Sequence, residues 1–249
     1  MTAESAQRWT ATRAIVTGAA SGIGAATARR LGAAGVALAL LDREPDALAA
    51  IASELGAAAY EVDVTSPIAV DDAVARVGPI DLLVNAAGIT GSHAAGTCHE
   101  TPDLEWERVI AVNLTGTFLL CHAVLPAMIA AGGGLIVNLA SIAGIVAFPG
   151  RCAYSASKGG VLMLTRSIAV DYGGSGIRAV AICPGMIHTP MTDWRLSDPA
   201  MHEEIVARIP QGRVGQPDDI AETIALLGSG AMAYMNGAPL ILDGGWTAI

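Results

Sequence analysis

Apolar runs about as long as a β-strand alternate with helix-length segments along almost the whole chain. Within these runs the apolar residues are near-continuous and do not alternate with polar ones, which indicates strands that are covered on both faces. Strand–helix alternation of this kind predicts an α/β fold, with one doubly wound parallel sheet and helices on both of its faces. The predicted strands are residues 13–17, 36–41, 58–62, 80–84, 135–139, 177–183 and 239–242.

The alternation continues without an internal repeat, a Pro/Ser-rich linker or a break in composition, so we expect a single domain over residues 11–249. We interpret residues 1–10, MTAESAQRWT, as a flexible N-terminal lead-in. The least regular segment runs from Pro184 to about Gln216 and is longer than an ordinary connection. Two interpretations stay open for it: a substrate lid at about residues 186–216, or a pair of surface helices without a role in a site.

Composition and charge exclude several classes of protein. The chain is 53% hydrophobic, with a mean hydropathy of +0.51. Its longest uninterrupted apolar runs, such as residues 36–41, are far shorter than the ~18 residues of a membrane-spanning helix, and the N-terminus lacks the apolar core of a signal peptide. A net charge of −9 without a run of Lys or Arg argues against nucleic acid and membrane surfaces as partners. The four cysteines form no C-x-x-C pair, so we expect reduced thiols and a cytoplasmic location.

A glycine-rich turn, TGAASGIG at residues 17–24, connects the first predicted strand to the first predicted helix. Gly18 permits a tight turn, Gly22 lets the backbone approach a pyrophosphate, and Gly24 lets the helix pack closely on the strand. The N-terminus of the helix adds free N–H groups and the positive end of its dipole. Such a turn is weak support alone, but its place between a strand and a helix is what dinucleotide binding requires. The sequence therefore predicts a Rossmann-like sheet with a dinucleotide site here.

Asp42 ends the second predicted strand, 24 positions after Gly18. A carboxylate at that point can bind the ribose 2′-hydroxyl of NAD and repels the 2′-phosphate of NADP. Arg43 weakens this prediction because an arginine can pair with such a phosphate, and Asp42 could instead cap the next helix. The sequence favours NAD as the cofactor.

Lys158 is the one lysine among 14 basic residues, all the others being arginine. Tyr154 precedes it by one helical turn, so both side chains can share a helix face. A neighbouring cation favours the phenolate of a tyrosine, whose ordinary pKa near ~10 makes it a poor base at neutral pH. An isolated Y-x-x-x-K is more often a half-buried tyrosine beside an exposed lysine. Ser141 strengthens the catalytic interpretation, because it follows the predicted strand 135–139 and its hydroxyl can bond a substrate oxygen.

These residues resemble the short-chain dehydrogenase/reductase family in its single-domain form, from about residue 13 to residue 249. Any one of the motifs is unspecific, but their order and separations are not. Ala86 departs from the resemblance, since the family more often has asparagine there, and this puts local rigidity in doubt. The motifs are TGAASGIG at 17–24, Asp63-Val64 after the third strand, NAAG at 85–88, Asn113, Ser141, Tyr154-x-x-x-Lys158, Pro184-Gly185 and Thr189.

The resemblance implies an NAD(H)-dependent enzyme that interconverts a secondary alcohol and a ketone. In such an enzyme Tyr154 transfers the proton, and Lys158 lowers the pKa of Tyr154 and holds the nicotinamide ribose. Ser141 steadies the substrate oxygen, and Asn113 keeps a water in a proton relay that reaches solvent through Lys158. The cofactor contacts implied are Gly18, Ser21, Gly22, Ile23, Gly24, Asp42, Asp63, Val64, Asn85, Ala87, Gly88, Tyr154, Lys158, Pro184, Gly185, Ile187 and Thr189.

The resemblance also implies a homotetramer. The apolar C-terminal run at residues 239–242, together with Trp246, is expected to contribute to an interface.

Two arginines lie near the expected substrate pocket: Arg151, three residues before Tyr154, and Arg195, in the proposed lid. The fork of a guanidinium suits a carboxylate, sulfonate or phosphate. The stretches AFPGRCAY, PGMIHTPMTDWRL and DGGWTAI resemble the branch of the family that oxidises 2-(R)-hydroxypropyl-coenzyme M, in which two matching arginines hold the sulfonate. The alternative is that Arg195 pairs with Asp193 or Asp198 on the surface and that Arg151 caps a loop.

Two other functions stay open. A 3-oxoacyl-carrier-protein reductase is the nearest alternative enzyme, although its usual NADP and basic docking surface fit poorly with Asp42 and the charge of −9. A non-catalytic dinucleotide-sensing protein could use the same fold, but the complete catalytic set argues against it. No metal is predicted, because His93, Cys98 and His99 match no zinc spacing, and we expect them at the pocket entrance.

Overall fold

The seven predicted strands are all present and form one sheet in a computed structural model that describes residues 11–92 and 96–248. Every neighbouring pair is parallel, in the order β3-β2-β1-β4-β5-β6-β7, and no strand end differs from its predicted position by more than two residues. The proposed lead-in, residues 1–10, lies outside the described residues. The strands are β1 (Arg13–Thr17), β2 (Ala37–Asp42), β3 (Ala58–Glu61), β4 (Leu82–Asn85), β5 (Gly134–Leu139), β6 (Ile177–Pro184) and β7 (Pro239–Leu242).

Helices cover both faces of the sheet, which explains why β4 and β5 are buried along their whole length. Val16 belongs to a core cluster with side chains of α1, α2 and α9, whereas Ile15 belongs to a second cluster with α3, α5 and α6. Successive residues of β1 thus face opposite helical layers, and the doubly wound α/β fold is confirmed. The helices are α1 (Gly22–Ala33), α2 (Pro45–Leu55), α3 (Pro67–Val77), α4 (Asp103–Ile110), α5 (Gly116–Ala131), α6 (Cys152–Tyr172), α7 (Asp193–Leu196), α8 (Pro199–Ala207) and α9 (Pro217–Gly228).

A continuous helical stretch, Asp103–Ala131, is long and apolar enough to cross a membrane by length and composition. It consists of α4, a π-helical segment (Ala111–Thr115) and α5. On α5, the side chains of Leu120, Val124 and Met128 are buried in the core cluster under the sheet. Packing against the sheet therefore accounts for the apolar composition of α5. A search for uninterrupted apolar runs does not detect this stretch, because polar residues interrupt it.

The carboxyl ends of β1 and β4 lie side by side at the point where the strand order reverses, because β1 pairs with β2 on one side and with β4 on the other. In open parallel sheets this is where ligands bind. The irregular segment after β6 contains α7 and α8, and neither of these two helices has a fully buried residue.

Candidate active site

The glycine-rich turn after β1 has a backbone that side chains would block. Gly18 and Gly22 have φ angles of +64° and +52°, which favour glycine. A Cβ on Gly18 would lie 2.8 Å from the backbone nitrogen of Ala87, and a Cβ on Gly24 would lie 2.0 Å from the carbonyl oxygen of Gly18. The turn is therefore packed directly against the segment after β4, and helix α1 begins in contact with it.

Thr17, the last residue of β1, fixes the segment after β4. Its Oγ1 accepts hydrogen bonds from the backbone N–H groups of Ala86 and Ala87, each at 3.1 Å. The rigidity that was in doubt because of Ala86 is thus supplied by a backbone anchor, which needs no side chain at position 86.

A cavity of about 350 Å³, here called the glycine-turn cavity, lies over this crevice. At its edge, Asp42 Oδ2 accepts from the N–H of Ala20 at 2.9 Å and Oδ1 accepts from the N–H of Glu44 at 3.1 Å. Glu44, and not Asp42, is the N-cap residue of α2. The predicted cofactor residues that line the cavity are Gly18, Ser21, Gly22, Ile23, Gly24, Asp42, Asp63, Val64, Ala87, Gly88 and Thr189.

Asn85 is predicted to contact the cofactor, but its side chain does not lie in the glycine-turn cavity. It lines neither this cavity nor the adjoining one, and its side chain is 3% exposed. Its Nδ2 donates to Asn138 Oδ1 at 2.9 Å, on the neighbouring strand position of β5. Inside the core, an amide needs partners of this kind. In this structure the Asn85 side chain links two strands beneath the crevice.

A second cavity of about 330 Å³, here called the tyrosine cavity, adjoins the first, and Ile23, Gly88 and Thr189 line both. Ser141 and Tyr154 line its wall, each at the carboxyl edge of the sheet: Ser141 follows β5, and Tyr154 lies in the first turn of α6. The structure therefore brings most of the predicted cofactor residues together with Ser141, Tyr154 and Lys158 in one continuous space, which Asn85 and Asn113 do not line. The remaining predicted residues that line the tyrosine cavity are Lys158, Pro184, Gly185, Ile187, Arg151 and Arg195.

Burial sets the electrostatics of the tyrosine–lysine pair. Burial raises the pKa of the Tyr154 phenol, while a hydrogen bond with the Ser141 side chain and the charge of Arg151 act in the opposite direction. Lys158 is 5% exposed, and burial lowers its pKa to about 8. Its Nζ lies 5.8 Å from the centre of the Tyr154 ring. The expected depression of the tyrosine pKa by Lys158 is not seen in this structure: burial raises that pKa, and the groups that oppose the rise are Ser141 and Arg151.

Asn113 lies in the π-helical segment between α4 and α5 and is 0% exposed. Its Oδ1 accepts from the N–H of Ile89 at 2.8 Å, and its Nδ2 donates to the carbonyl of Ile89 at 2.9 Å and to Ser157 Oγ at 3.0 Å. A Cβ on Gly88 would lie 3.2 Å from Asn113 Oδ1 and 3.5 Å from Lys158 Nζ. Gly88 thus keeps open a space that an amide oxygen and an ammonium group both border.

Both arginines reach the tyrosine cavity. Arg151 Nη1 donates to the carbonyl of Thr90 at 3.5 Å, and the Arg195 guanidinium lies 4.7 Å from the centre of the Trp194 ring. Burial and the charge of Arg151 lower the pKa of Arg195. Over residues 11–92 and 96–248, neither guanidinium forms an ion pair with a carboxylate.

The carboxylates proposed as surface partners of Arg195 have other contacts. Asp193 lies 3.5 Å from His188 Nε2, and Asp198 caps α8 by accepting from the N–H groups of Ala200 and Met201. The surface-pair interpretation of Arg195 is therefore not what the structure shows.

Aromatic residues that the sequence analysis did not assign line the tyrosine cavity. The Phe148 and Trp246 rings meet edge to face, with centroids 5.8 Å apart, and Trp194 lies on α7. Trp246, which is also expected to contribute to an interface, borders this cavity. The chain has only two Phe, four Tyr and four Trp. Because aromatic residues are so rare in this chain, those that lie near the predicted site motifs could have been identified as candidates for the cavity wall.

The structure describes only part of the cysteine–histidine loop. His93 lies outside the described residues, and Cys98 and His99 line none of the cavities described above, contrary to the expected position at the pocket entrance. Among the residues that the structure covers, no group of three or more metal-ligating side chains is present.

The geometry fits a dinucleotide. The glycine turn, the open space at Gly88 and the carboxylate of Asp42 form a channel that leads to a tyrosine, a serine and a buried lysine. Taken with the parallel sheet, this defines an oxidoreductase that uses a nicotinamide dinucleotide on alcohols and ketones.

Comparison with known proteins identifies the family. A family model described as enoyl-(acyl carrier protein) reductase matches residues 18–247. The 2-(R)-hydroxypropyl-CoM dehydrogenase of Xanthobacter autotrophicus is 48% identical, over 95% of this chain and 98% of the relative. Galactitol 2-dehydrogenase (L-tagatose-forming) of Cereibacter sphaeroides is 43% identical, over 94% of each chain. The crystal structure of levodione reductase has a TM-score of 0.91 and 35% identity, over 97% of this chain and 99% of that one. The chain belongs to the short-chain dehydrogenase/reductase family.

Proposed function

We propose that the protein oxidises a secondary alcohol with an anionic tail to the ketone, with NAD as its cofactor, and that the substrate resembles 2-hydroxypropyl-coenzyme M. The observation that carries the proposal is the pair of guanidinium groups, Arg151 and Arg195, that border the tyrosine cavity without a carboxylate partner in the described part of the chain. Two cations in a part-buried cavity repel one another, and an anion between them relieves that cost.

The relative most relevant to this substrate is the Xanthobacter 2-(R)-hydroxypropyl-CoM dehydrogenase, whose substrate carries a sulfonate. Galactitol, the substrate named for the Cereibacter relative, is neutral, so family membership alone does not require an anion. The arginines therefore carry the substrate assignment, and the apolar walls from Phe148 and Trp246 suit the short carbon chain beside the reacting centre.

Asp42 supports NAD over NADP. Each of its carboxylate oxygens accepts one backbone hydrogen bond, which leaves further acceptor capacity for a ribose hydroxyl. Arg43, which could pair with a 2′-phosphate, is held by Glu44 at 3.2 Å. Asp42, Arg43 and Glu44 all line the glycine-turn cavity, and since Arg43 pairs with Glu44, the carboxylate of Asp42 leaves this end of the cavity anionic.

A nicotinamide dinucleotide held in the glycine-turn cavity would supply the hydride acceptor for the carbinol carbon. In the oxidation, Tyr154 takes the hydroxyl proton while the Ser141 hydroxyl hydrogen-bonds the same oxygen. Lys158 keeps a positive charge close to the tyrosine ring, and the Asn113 side chain hydrogen-bonds the backbone of Ile89 and Ser157 Oγ. The phenolate that oxidation needs becomes more abundant as the pH rises, and because burial raises the pKa of Tyr154 this increase is moved to higher pH. Oxidation therefore favours alkaline conditions, and ketone reduction favours lower pH.

Assembly and location are part of the same proposal. Met163 and Val170, two turns apart on α6, are 57% and 82% exposed, and Phe118 on α5 is 47% exposed. Exposed apolar side chains on adjacent helices support an interface between copies of the chain, and the number of four is what the family resemblance implies. The four cysteines are unpaired, as expected for a cytoplasmic protein. Light scattering at micromolar concentration measures the assembly, and a monomer contradicts it.

The test of the function compares matched ketones that carry a sulfonate, a carboxylate or a neutral group of similar size. We expect the anionic ketones to be reduced with the higher kcat/KM. Arg151→Ala and Arg195→Ala should each raise KM for the anionic ketones by about tenfold or more, and should leave KM for the neutral ones nearly unchanged. Arg208→Ala, which removes a surface arginine paired with Glu204, is the control. Equal losses on charged and neutral ketones contradict the anionic substrate.

A further inference from the structure

A buried serine in the catalytic helix has a hydrogen-bond arrangement that the proposed reaction does not use. Ser157 is 0% exposed and lies between Tyr154 and Lys158 on α6. Its Oγ donates to the backbone carbonyl of Tyr154 at 2.7 Å and accepts from Asn113 Nδ2 at 3.0 Å. A serine has one proton to donate, and here that proton is directed at the Tyr154 carbonyl. Towards Asn113, the hydroxyl therefore presents only lone pairs.

This arrangement and the backbone of Ile89 together decide which way the Asn113 amide faces. Both hydrogens of Nδ2 are used, one on the carbonyl of Ile89 and one on Ser157, while Oδ1 accepts from the N–H of Ile89. A flipped amide would set N–H against N–H at Ile89 and oxygen against oxygen at Ser157. In a fully buried position, each such mismatch costs about 1–3 kcal/mol. Ser157 thus supplies one of the contacts that hold the amide in a single orientation.

The orientation places Asn113 Oδ1 beside the space in front of Gly88. That space is also bordered by Lys158 Nζ, since a Cβ on Gly88 would lie 3.2 Å from the oxygen and 3.5 Å from the nitrogen. An acceptor and a cationic donor therefore border the same small volume, next to the tyrosine that exchanges the proton. With the amide reversed, two donors would border it, and the hydrogen-bond acceptor beside Lys158 would be lost.

We propose that Ser157 is a positioning residue for proton transfer: it fixes the Asn113 amide so that Oδ1 borders the space shared with Lys158, and it ties that amide to the helical turn of Tyr154. The inference rests on the proposed function, because it assumes that Tyr154, Lys158 and Asn113 move the proton of a secondary alcohol. In this role Ser157 touches neither substrate nor cofactor.

The test is Ser157→Ala, with Ser155→Ala as the matched control. Ser155 lies two residues earlier in the same helix, and its buried Oγ has no hydrogen-bond partner within the described residues. We expect Ser157→Ala to lower kcat for alcohol oxidation by roughly tenfold near neutral pH, with KM for NAD and alcohol within about twofold of wild type. The loss should shrink at alkaline pH, where hydroxide can take the proton. Ser155→Ala should keep the wild-type kcat and pH profile.

A double-mutant cycle separates a role through Asn113 from general damage. If Ser157 acts through the amide, adding Ser157→Ala to Asn113→Ala should lower kcat by no more than about twofold further. Multiplied losses overturn the proposal, and so does a Ser157→Ala enzyme with a wild-type kcat and pH profile but reduced thermal stability. If the alanine variant does not fold, Ser157→Cys, whose thiol is a weaker acceptor, is measured in the same way. Failure of the proposed function looks different, since the wild-type enzyme would then oxidise no secondary alcohol.

Discussion

Lys158 Nζ donates a hydrogen bond of 2.6 Å to the backbone carbonyl of Leu139, which joins helix α6 to the end of strand β5. This contact holds an almost fully buried ammonium group at the carboxyl edge of the sheet, at the last residue of β5 and two residues before Ser141. Burial lowers the pKa of Lys158 to about 8, so the group still carries its charge at neutral pH, at a cost in stability. A buried cation that destabilises the fold indicates a role in the reaction. Its substitution can therefore be tested through the free energy of unfolding as well as through the reaction rate.

Lys158→Met should change the pH dependence of stability. The lysine pKa is about 8 in the folded protein and 10.5 in the reference state, so between these values the unfolded chain binds more protons. The free energy of unfolding of the wild type therefore rises with pH in this window, and the cost of the buried charge is largest below about pH 8. We expect the stability of the methionine variant relative to wild type to be highest at neutral pH and to decline towards pH 10.5. Urea unfolding of both proteins at several pH values measures this, and a pH-independent difference contradicts it.

Lys158→Arg tests whether a compact ammonium is required. Arginine keeps the charge, but its planar guanidinium is larger and does not release its proton. In a position that is 5% exposed and bonded to one carbonyl, we expect kcat to fall by at least ~10²-fold, comparable with Tyr154→Phe. Steady-state kinetics with NAD and a secondary alcohol provide the measurement, and intrinsic fluorescence with NADH checks that the cofactor still binds. Near-normal turnover in Lys158→Arg means that Lys158 has no part in proton transfer.

The sheet could be predicted because its information is local. Each strand is a short apolar run, and burial on both faces makes that run continuous. The strand positions therefore follow from the local pattern of apolar residues. The arrangement of Tyr154, Lys158 and Ser141 could also be predicted. Helical spacing places the first two on one helix face, and the end of a strand places Ser141 at the same edge of the sheet.

What the sequence could not show depends on tertiary contacts. Asn85 ends a strand at the crevice, and only the register with Asn138 shows that its side chain joins the neighbouring strand. The wall formed by Phe148 and Trp246 brings together positions almost a hundred residues apart, and no local pattern links them. The hydrogen-bonding of Ser157 depends on a π-helical segment that propensity does not predict.

Asp42→Ala should narrow the preference for NAD over NADP. The change removes a carboxylate that lines the glycine-turn cavity and releases the N–H of Ala20, which Asp42 Oδ2 accepts at 2.9 Å. We expect kcat/KM for NAD to fall by about tenfold or more and kcat/KM for NADP to rise. Adding Glu44→Gln, which frees Arg43 from its 3.2 Å ion pair, should raise kcat/KM for NADP further. Asp46→Ala, in the first turn of α2, controls for the loss of a nearby charge. An unchanged cofactor ratio in both variants removes Asp42 from cofactor selection.

Gly88→Ala should impair the enzyme without unfolding it. The added Cβ would lie 3.2 Å from Asn113 Oδ1 and 3.5 Å from Lys158 Nζ, so it fills the space between the two cavities while meeting only the ends of side chains. Because these side chains can shift by a few tenths of an ångström, we expect a melting temperature close to that of wild type. Turnover should nevertheless fall roughly 10- to 100-fold, since small displacements of reacting groups are costly in rate. Gly174→Ala is the matched control: it lies in the 3₁₀ turn after α6, and its Cβ would meet nothing within 4 Å. Thermal melts and steady-state kinetics on both variants provide the measurements, and equal activity in the two would show that the space at Gly88 has no part in the reaction.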